Sequence, residues 1–398
     1  MRKFEAVFDS KTRYKELFLS ILFTGLAYGL YKGVLDNYLA EIVTLSELGR
    51  GVSEFFRELP GLALVLILAA LYMFSAEGIY KIGAVIMLVG MAMHGIVPPN
   101  RILITVAICI YSLGEHMQMG MKSTMTLQYA RPDKGGEALG MQSAVNQVGT
   151  LVGFLVIVGL FLFVPSNSTS YRLVFVAATV ITGLSTLYAF RLTGQSQTDG
   201  SARRFYFDKK YKKYYFLEVF YGARKQVFLT FGPYVLILFY GASTTVISLL
   251  FAISAVCCFF ASPLVGKIID KLGYKVVMVS DTLILVIVCF FYGFAHHLFP
   301  MNTAFVVCCV NYVLDSIISL ASMASSVYVQ DISDTPEEVR ATLSTGISVN
   351  HMITILIALF GGWVWKALGI ETLFIVSAVL GLMNSAYAAS IKTKSART

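Results

Sequence analysis

Twelve long apolar runs constrain this chain more than any other feature. With soft edges they cover residues 17–39, 48–73, 79–97, 101–125, 137–163, 171–191, 214–240, 243–265, 275–297, 301–327, 339–365 and 369–391. Crossing a hydrocarbon core about 30 Å thick takes roughly 20 helical residues, which is the scale of these runs. Strands of a membrane barrel would instead show about ten residues of alternating polarity. Hydrophobic residues are 57% of the 398 positions and charged residues 14%, against roughly 45–50% and 25% in soluble domains. The reading is an all-α integral membrane protein with twelve transmembrane helices. Met1–Glu16 is charged and polar, and the run after it is too long for the apolar core of a cleavable signal, so that run is expected to stay as the first span.

The net charge of +8 would suit nucleic acid, but its distribution suits a membrane. With both termini in the cytoplasm, twenty-two of the 31 lysines and arginines fall in cytoplasmic segments. Four fall in outer loops: Arg50, Arg101, Arg172 and Lys366. This is the positive-inside asymmetry. It makes the stretch ARRFYFDKKYKKYY (202–215) an anchor on anionic lipid rather than a nucleic-acid contact. The expected location is a bacterial-type inner (plasma) membrane, multi-pass, as a monomer. The six cysteines all lie in apolar runs without a C-x-x-C pair, and the five histidines are scattered, with His296–His297 at an outer turn. No metal site and no cofactor is expected.

A polar stretch, TGQSQTDGSARRFYFDKKYKK (193–213), separates the sixth run from the seventh. Its first half has the composition of a flexible linker, and its second half suits an interfacial helix. The expected organisation is a cytoplasmic tail (1–16), a bundle (17–192), this linker, a second bundle (214–391) and a second tail (392–398). The halves also resemble each other. PDKGGEALGMQSAVNQ (132–147) and PEEVRATLSTGISVNH (336–351) align at a constant offset, pairing Pro132 with Pro336, Leu139 with Leu343 and Asn146 with Asn350. Parallel repeats of this kind occur in transporters that bind solute near the bilayer midplane.

Between the eighth and ninth runs lies GKIIDKLGYK (266–275), with Gly266, Asp270, Lys271, Gly273 and Lys275 at the positions of G-x-x-x-D-[R/K]-x-G-x-[R/K]. Gly266 permits close packing, Asp270 can cap a helix, the lysines hold the loop at the inner surface, and Gly273 gives a tight turn. With this motif, the six-plus-six division and the basic central loop, the chain resembles the major facilitator superfamily over essentially its whole length. The resemblance implies two six-helix bundles, a central cavity and alternating access. The first half departs from the pattern: in LYMFSAEGIYK (71–81), Gly78 and Lys81 remain, but Ser75 stands in the aspartate's place and Leu71 in the first glycine's. Span five lacks the run typical of drug/proton antiporters. Its Gly149 and Gly153 read as simple helix packing.

Charges within spans cost several kcal/mol, roughly 2.5–3.5 on insertion scales, so each needs a partner or a wet cavity. Lys32 and Asp36 are an i, i+4 pair, either structural or on a cavity wall, with Tyr28 and Tyr31 able to bond a solute. Arg57 and Glu58 precede Pro60; adjacent residues point about 100° apart, so they need not pair. Glu115 lies deep, as proton carrier or partner of a buried cation, and Lys122 snorkels. On span seven, Glu218, Tyr221 and Lys225 share a stripe. One division gives Lys225 to Glu218 and aims Arg224 at the solute, since its planar fork holds two oxygens of a carboxylate or phosphate; the alternative makes both cations structural. Asp315 is a second proton site or counter-ion. Asn146, Asn350 and His351 can orient a solute or join helices.

The readings open at this stage are three. The first is a secondary transporter of a small organic anion or zwitterion, proton-coupled, with Arg57, Arg224, Lys225 and Lys32 as cationic contacts. The second is an exporter of lipophilic drugs or lipids by proton antiport. The third is a receptor or sensor that keeps the fold without transport. No phosphate-binding loop or nucleophile–base pair supports an enzyme. Topology is checked directly: reporters fused after Gly200 and at the C-terminus are expected to report the same, cytoplasmic, side, and a reporter after Arg101 the opposite one.

Overall fold

The computed structural model describes residues 2–71, 73–132, 134–193 and 207–391. Asp133, most of the expected linker (194–206) and the C-terminal tail (392–398) lie outside the described residues. All twelve apolar runs are helical. They form α1 (Tyr14–Glu41), α2 (Glu47–Ala70), α3 (Ala76–Ile96), α4 (Arg101–Tyr129), α5 (Gly135–Phe161) and α6 (Ser168–Phe190). The second set is α7 (Lys212–Leu238), α8 (Thr244–Leu272), α9 (Tyr274–Leu298) and α10, which runs Met301–Ile318, tightens to a 3₁₀ turn at Ser319–Ser322 and resumes over Met323–Ile332. Pro336–Ala389 is continuous except at Gly369 (φ 91°, ψ 166°), which divides it into α11 (336–368) and α12 (370–389). Only glycine adopts that φ without strain.

Among the described residues, nine helices are long and apolar enough to cross a membrane, with α11 and α12 counted as one. The two left out are α2 and α7, where the intramembrane charges concentrate. The basic end of the expected interfacial helix is a short 3₁₀ turn (Lys209–Tyr211) leading directly into α7, with Tyr211 buried.

The chain divides into two compact units. One comprises Met1–Thr44, Phe56–Ala202 and Ser243–Ala252, the other Leu45–Phe55, Arg203–Ala242 and Ile253–Thr398. The start of α2 thus belongs with the second unit and the start of α8 with the first. In the first unit, α1 lies against α5 and α6, and α3 against α4 and α6. The α1–α5 seam is built on glycine: a Cβ on Gly153 would stand 2.7 Å from the Gly29 Cα, and one on Gly149 2.9 Å from the Leu26 nitrogen. Gly149 and Gly153 therefore serve helix packing, as their spacing suggests. A hydroxyl knot ties α1, α3 and α6, with Ser20 Oγ 3.0 Å from both Tyr80 and Ser185.

In the second unit α7 lies against α11 and α9 against α12. The sequence repeat reappears here as a repeated contact. In the first unit the Asn146 backbone closes on Gly25 of α1. In the second, the Asn350 side chain lies 3.0 Å from where a Gly222 Cβ would be. Each half thus places a glycine of its first helix against the matching asparagine of its fifth.

Two substitutions separate packing glycines from idle ones. Gly153→Val is expected to destabilise by about 1–3 kcal/mol through overpacking. Gly266, with nothing within 4 Å of an added Cβ, should accept alanine with a stabilising change of up to ~1 kcal/mol from helix propensity. Thermal unfolding of the purified variants measures both.

Candidate functional site

Arg224 and Lys225 are neighbours on α7 with opposite surroundings. Arg224 is 2% exposed and its Nη1 donates to Asp281 Oδ2 of α9 at 2.7 Å. Its guanidinium stacks on Tyr221, 4.9 Å from the ring centre, and the other oxygen of Asp281 accepts from the Thr282 hydroxyl at 3.3 Å. Lys225 is exposed. It makes no hydrogen bond or ion pair with any described residue, yet it stands close enough to Glu218 and Asp315 to act on both electrostatically. The division expected from sequence is therefore reversed: Arg224 is the structural cation and Lys225 the accessible one. A helix turns about 100° per residue, and the face that meets α9 is Arg224's. Asp281, a lone acid in an apolar helix, carried no sequence signal that it was the partner.

The stripe below Lys225 is held by hydrogen bonds. Glu218 accepts from Ser325 Oγ of α10 at 2.9 Å and from Asn350 Nδ2 of α11 at 3.3 Å. Asn350 is thus engaged by Glu218 rather than turned to a solute, and Tyr221 is buried beneath Arg224. Asp315 is 8% exposed, one turn before the 3₁₀ stretch of α10, within the electrostatic reach of Arg224 and Lys225. His351 is half-buried on α11. At the start of α2, Arg50 donates to Glu54 at 2.7 Å, and Gln226 of α7 donates to the other oxygen of Glu54 at 3.0 Å. Arg50, assigned from sequence to an outer loop, is helical and 3% exposed. Its i, i+4 acid makes that burial tolerable.

In the first unit Lys32 and Asp36 pair at 2.6 Å, and the Lys32 ammonium lies 5.2 Å from the Phe251 ring centre. Arg57 pairs directly with Glu58 despite their angular separation, the long side chains wrapping around the helix. Beside them Ser112 Oγ donates to the Arg57 carbonyl at 2.5 Å, near Pro60. Tyr31 belongs to an aromatic core, 4.6 Å from Tyr111 and 5.1 Å from His94 between ring centres, and does not extend the Lys32 face. Tyr28 is half-buried. Glu115 is half-buried and forms no hydrogen bond or ion pair with a described residue; it acts electrostatically on Lys122. Asn146 is half-buried, and its backbone carbonyl accepts from the Thr150 hydroxyl at 3.0 Å.

The loop motif is mostly helix. Gly266, Asp270 and Lys271 lie inside α8, which runs on to Leu272. Gly266 is not a close-packing site, and Asp270 is exposed in the last turn rather than at a helix start. Gly273 does make the turn, with φ 83°, and Lys275 follows in the first turn of α9. In the first half Ser75 caps α3, accepting from Gly78 N at 3.1 Å, the cap an aspartate would also supply. Lys81 donates to the Leu192 carbonyl beyond α6 at 2.7 Å.

Residues 214–396 match the family model of the Major Facilitator Superfamily. No curated protein sequence matches the chain. Among solved structures, the nucleoside transporter NupG is 16% identical with a TM-score of 0.72, over 96% of this chain and 100% of that one. A POT family transporter in complex with 5-aminolevulinic acid is 10% identical with a TM-score of 0.73, over 94% of each. A bacterial homolog of the human lysosomal transporter Spinster, inward-facing and unoccupied, is 14% identical with a TM-score of 0.71, over 96% of this chain and 97% of that one. At these identities the likeness is one of fold.

The two α7 cations should separate in stability measurements. Asp281→Asn leaves Arg224 buried without its counter-charge and is expected to destabilise by about 3–5 kcal/mol. Lys225→Met should change stability by less than about 0.5 kcal/mol, as substitutions away from packed contacts do. Thermal unfolding in detergent reads both.

Proposed function

We propose that the chain is a secondary transporter of the major facilitator superfamily whose solute is a small organic anion or zwitterion, moved together with a proton. One observation carries this reading: Lys225, in the middle of α7, presents an ammonium with no ion-pair partner among the described residues, while its neighbour Arg224 is neutralised by Asp281. A cation at that depth is costly, and an anionic group of the solute offsets the cost when it binds. The matched structures include a nucleoside transporter and a POT family transporter in complex with 5-aminolevulinic acid, so the shared fold does not choose a solute; the charge on α7 does.

Asp315 supplies the coupling. While ionised it attracts Lys225 and competes with an incoming anion. Protonation removes that competition, so proton and anion favour each other's binding, reciprocally as linkage requires. Within the first unit Arg57 and Lys32 each pair with an acid of their own; within the second, Glu218 holds the base of the Lys225 stripe through Ser325 and Asn350. The membrane proposed is the bacterial inner (plasma) membrane with both termini cytoplasmic, on the asymmetry of Lys and Arg.

Glu115 favours the second reading, export of lipophilic compounds by proton antiport: it is a half-buried mid-span carboxylate with no bonded cation among the described residues, suited to a lipophilic cation or an exchanging proton. Uptake into proteoliposomes separates the two. On the first reading Lys225→Met lowers uptake of small carboxylates at least about tenfold, equivalent to 1.4 kcal/mol, with unfolding temperature unchanged. Asp315→Asn keeps solute exchange but loses its drive by an inward proton gradient. If Lys225→Met transports carboxylates normally, or if lipophilic cations alone are carried and Glu115→Gln abolishes it, the second reading replaces the first.

A further inference from the structure

His296 and His297 end α9, and Glu371 stands in the first turn of α12. Both imidazoles reach one carboxylate oxygen: Nε2 of His296 is 3.2 Å and Nε2 of His297 2.9 Å from Glu371 Oε1. The three ligand atoms lie within 4.8 Å of one another. A tetrahedral site with metal–ligand bonds of roughly 2.0–2.1 Å places its ligand atoms about 3.4 Å apart, so modest side-chain motion converts this cluster into one. We infer that His296, His297 and Glu371 bind a divalent transition-metal ion of the zinc class, tying the end of α9 to the start of α12.

The backbone brings these groups together for identifiable reasons. Gly369, at positive φ, ends α11 and starts α12 two residues before Glu371. Gly293, one turn before the histidines, faces α12: a Cβ there would stand 3.3 Å from the Phe374 Cβ and 3.5 Å from the Glu371 Cα. The site is open to solvent, with the His297 side chain 57% exposed and Glu371 29%. Ion entry is therefore unobstructed, and a water can complete the coordination. Two imidazoles and a carboxylate select Zn²⁺ and its first-row neighbours over Mg²⁺ or Ca²⁺, which prefer all-oxygen shells. His296 Nδ1 is buried without a hydrogen-bond partner among the described residues. Zinc sites gain affinity from a group in that position, so binding here is reversible rather than required for folding.

The test uses the full-length protein purified in detergent. Zn²⁺ is expected to raise the unfolding temperature, EDTA to reverse the rise, and Mg²⁺ at the same concentration to have no such effect. Bound Co²⁺ should show the visible absorption of a tetrahedral site. His297→Ala, an exposed change that leaves folding intact, and Glu371→Gln should each weaken Zn²⁺ binding at least about tenfold. An unchanged wild-type unfolding temperature with Zn²⁺, equal stabilisation by Mg²⁺, or full stabilisation retained in His297→Ala overturns the site; the last outcome decides even if Glu371→Gln fails to fold.

Discussion

A guanidinium buried among apolar helices must meet a carboxylate, and the second unit is organised around that requirement. Arg224 on α7 and Asp281 on α9 are both nearly inaccessible and 2.7 Å apart. Removing two such charges from water is expensive, and only their close pairing with further hydrogen bonds compensates. The pair fixes which face of α7 meets α9. It thereby fixes which face is left for Glu218 and Lys225. The same logic recurs at the start of α2, where Arg50 and Glu54 are both buried and Gln226 bonds the acid. Internal pairing in this protein neutralises most of the deep charge and leaves Lys225 exposed.

Apolar side chains contribute little preference for one helix over another in lipid, since the tails are as apolar as leucine. Close backbone approach takes over that role. Gly29 against Gly153, Gly25 against Asn146 and Gly222 against Asn350 set how near the first helix of each half comes to its fifth. Hydroxyl groups such as Ser20, Tyr80 and Ser185 add directional ties between helices that would otherwise slide.

Much of this architecture was legible in the sequence because hydrocarbon thickness is a length standard. Runs such as 275–297 and 369–391 became α9 and α12 with ends shifted by a residue or two. Gly273 was legible as a turn because only glycine takes φ 83° without strain. The pairing of charges was not legible. Periodicity places Arg224 and Lys225 on neighbouring faces, but which face looks at a neighbouring helix depends on packing between segments far apart in sequence. Asp281 lies 57 residues from Arg224, with no spacing rule to join them. Arg57 and Glu58 show the reverse failure: their Cα directions argued against a pair, and side-chain length overcame the angle. Tyr31 looked available because it precedes Lys32, yet its ring fills the core beside Tyr111 and His94.

The 3₁₀ turn at Ser319–Ser322 changes how α10 is to be counted. A 3₁₀ helix advances about 120° per residue where an α-helix advances about 100°. Four residues so wound rotate everything after them by roughly 80° relative to an unbroken helix. Without that rotation Ser325 would lie about 80° around the helix from Asp315; with it, the ten steps between them come close to three whole turns. The two α10 residues that address α7, Asp315 near Lys225 and Ser325 on Glu218, therefore fall on one line facing the Glu218–Lys225 stripe. A change in winding over Ser319–Ser322 would turn one of these contacts away while leaving the other in place.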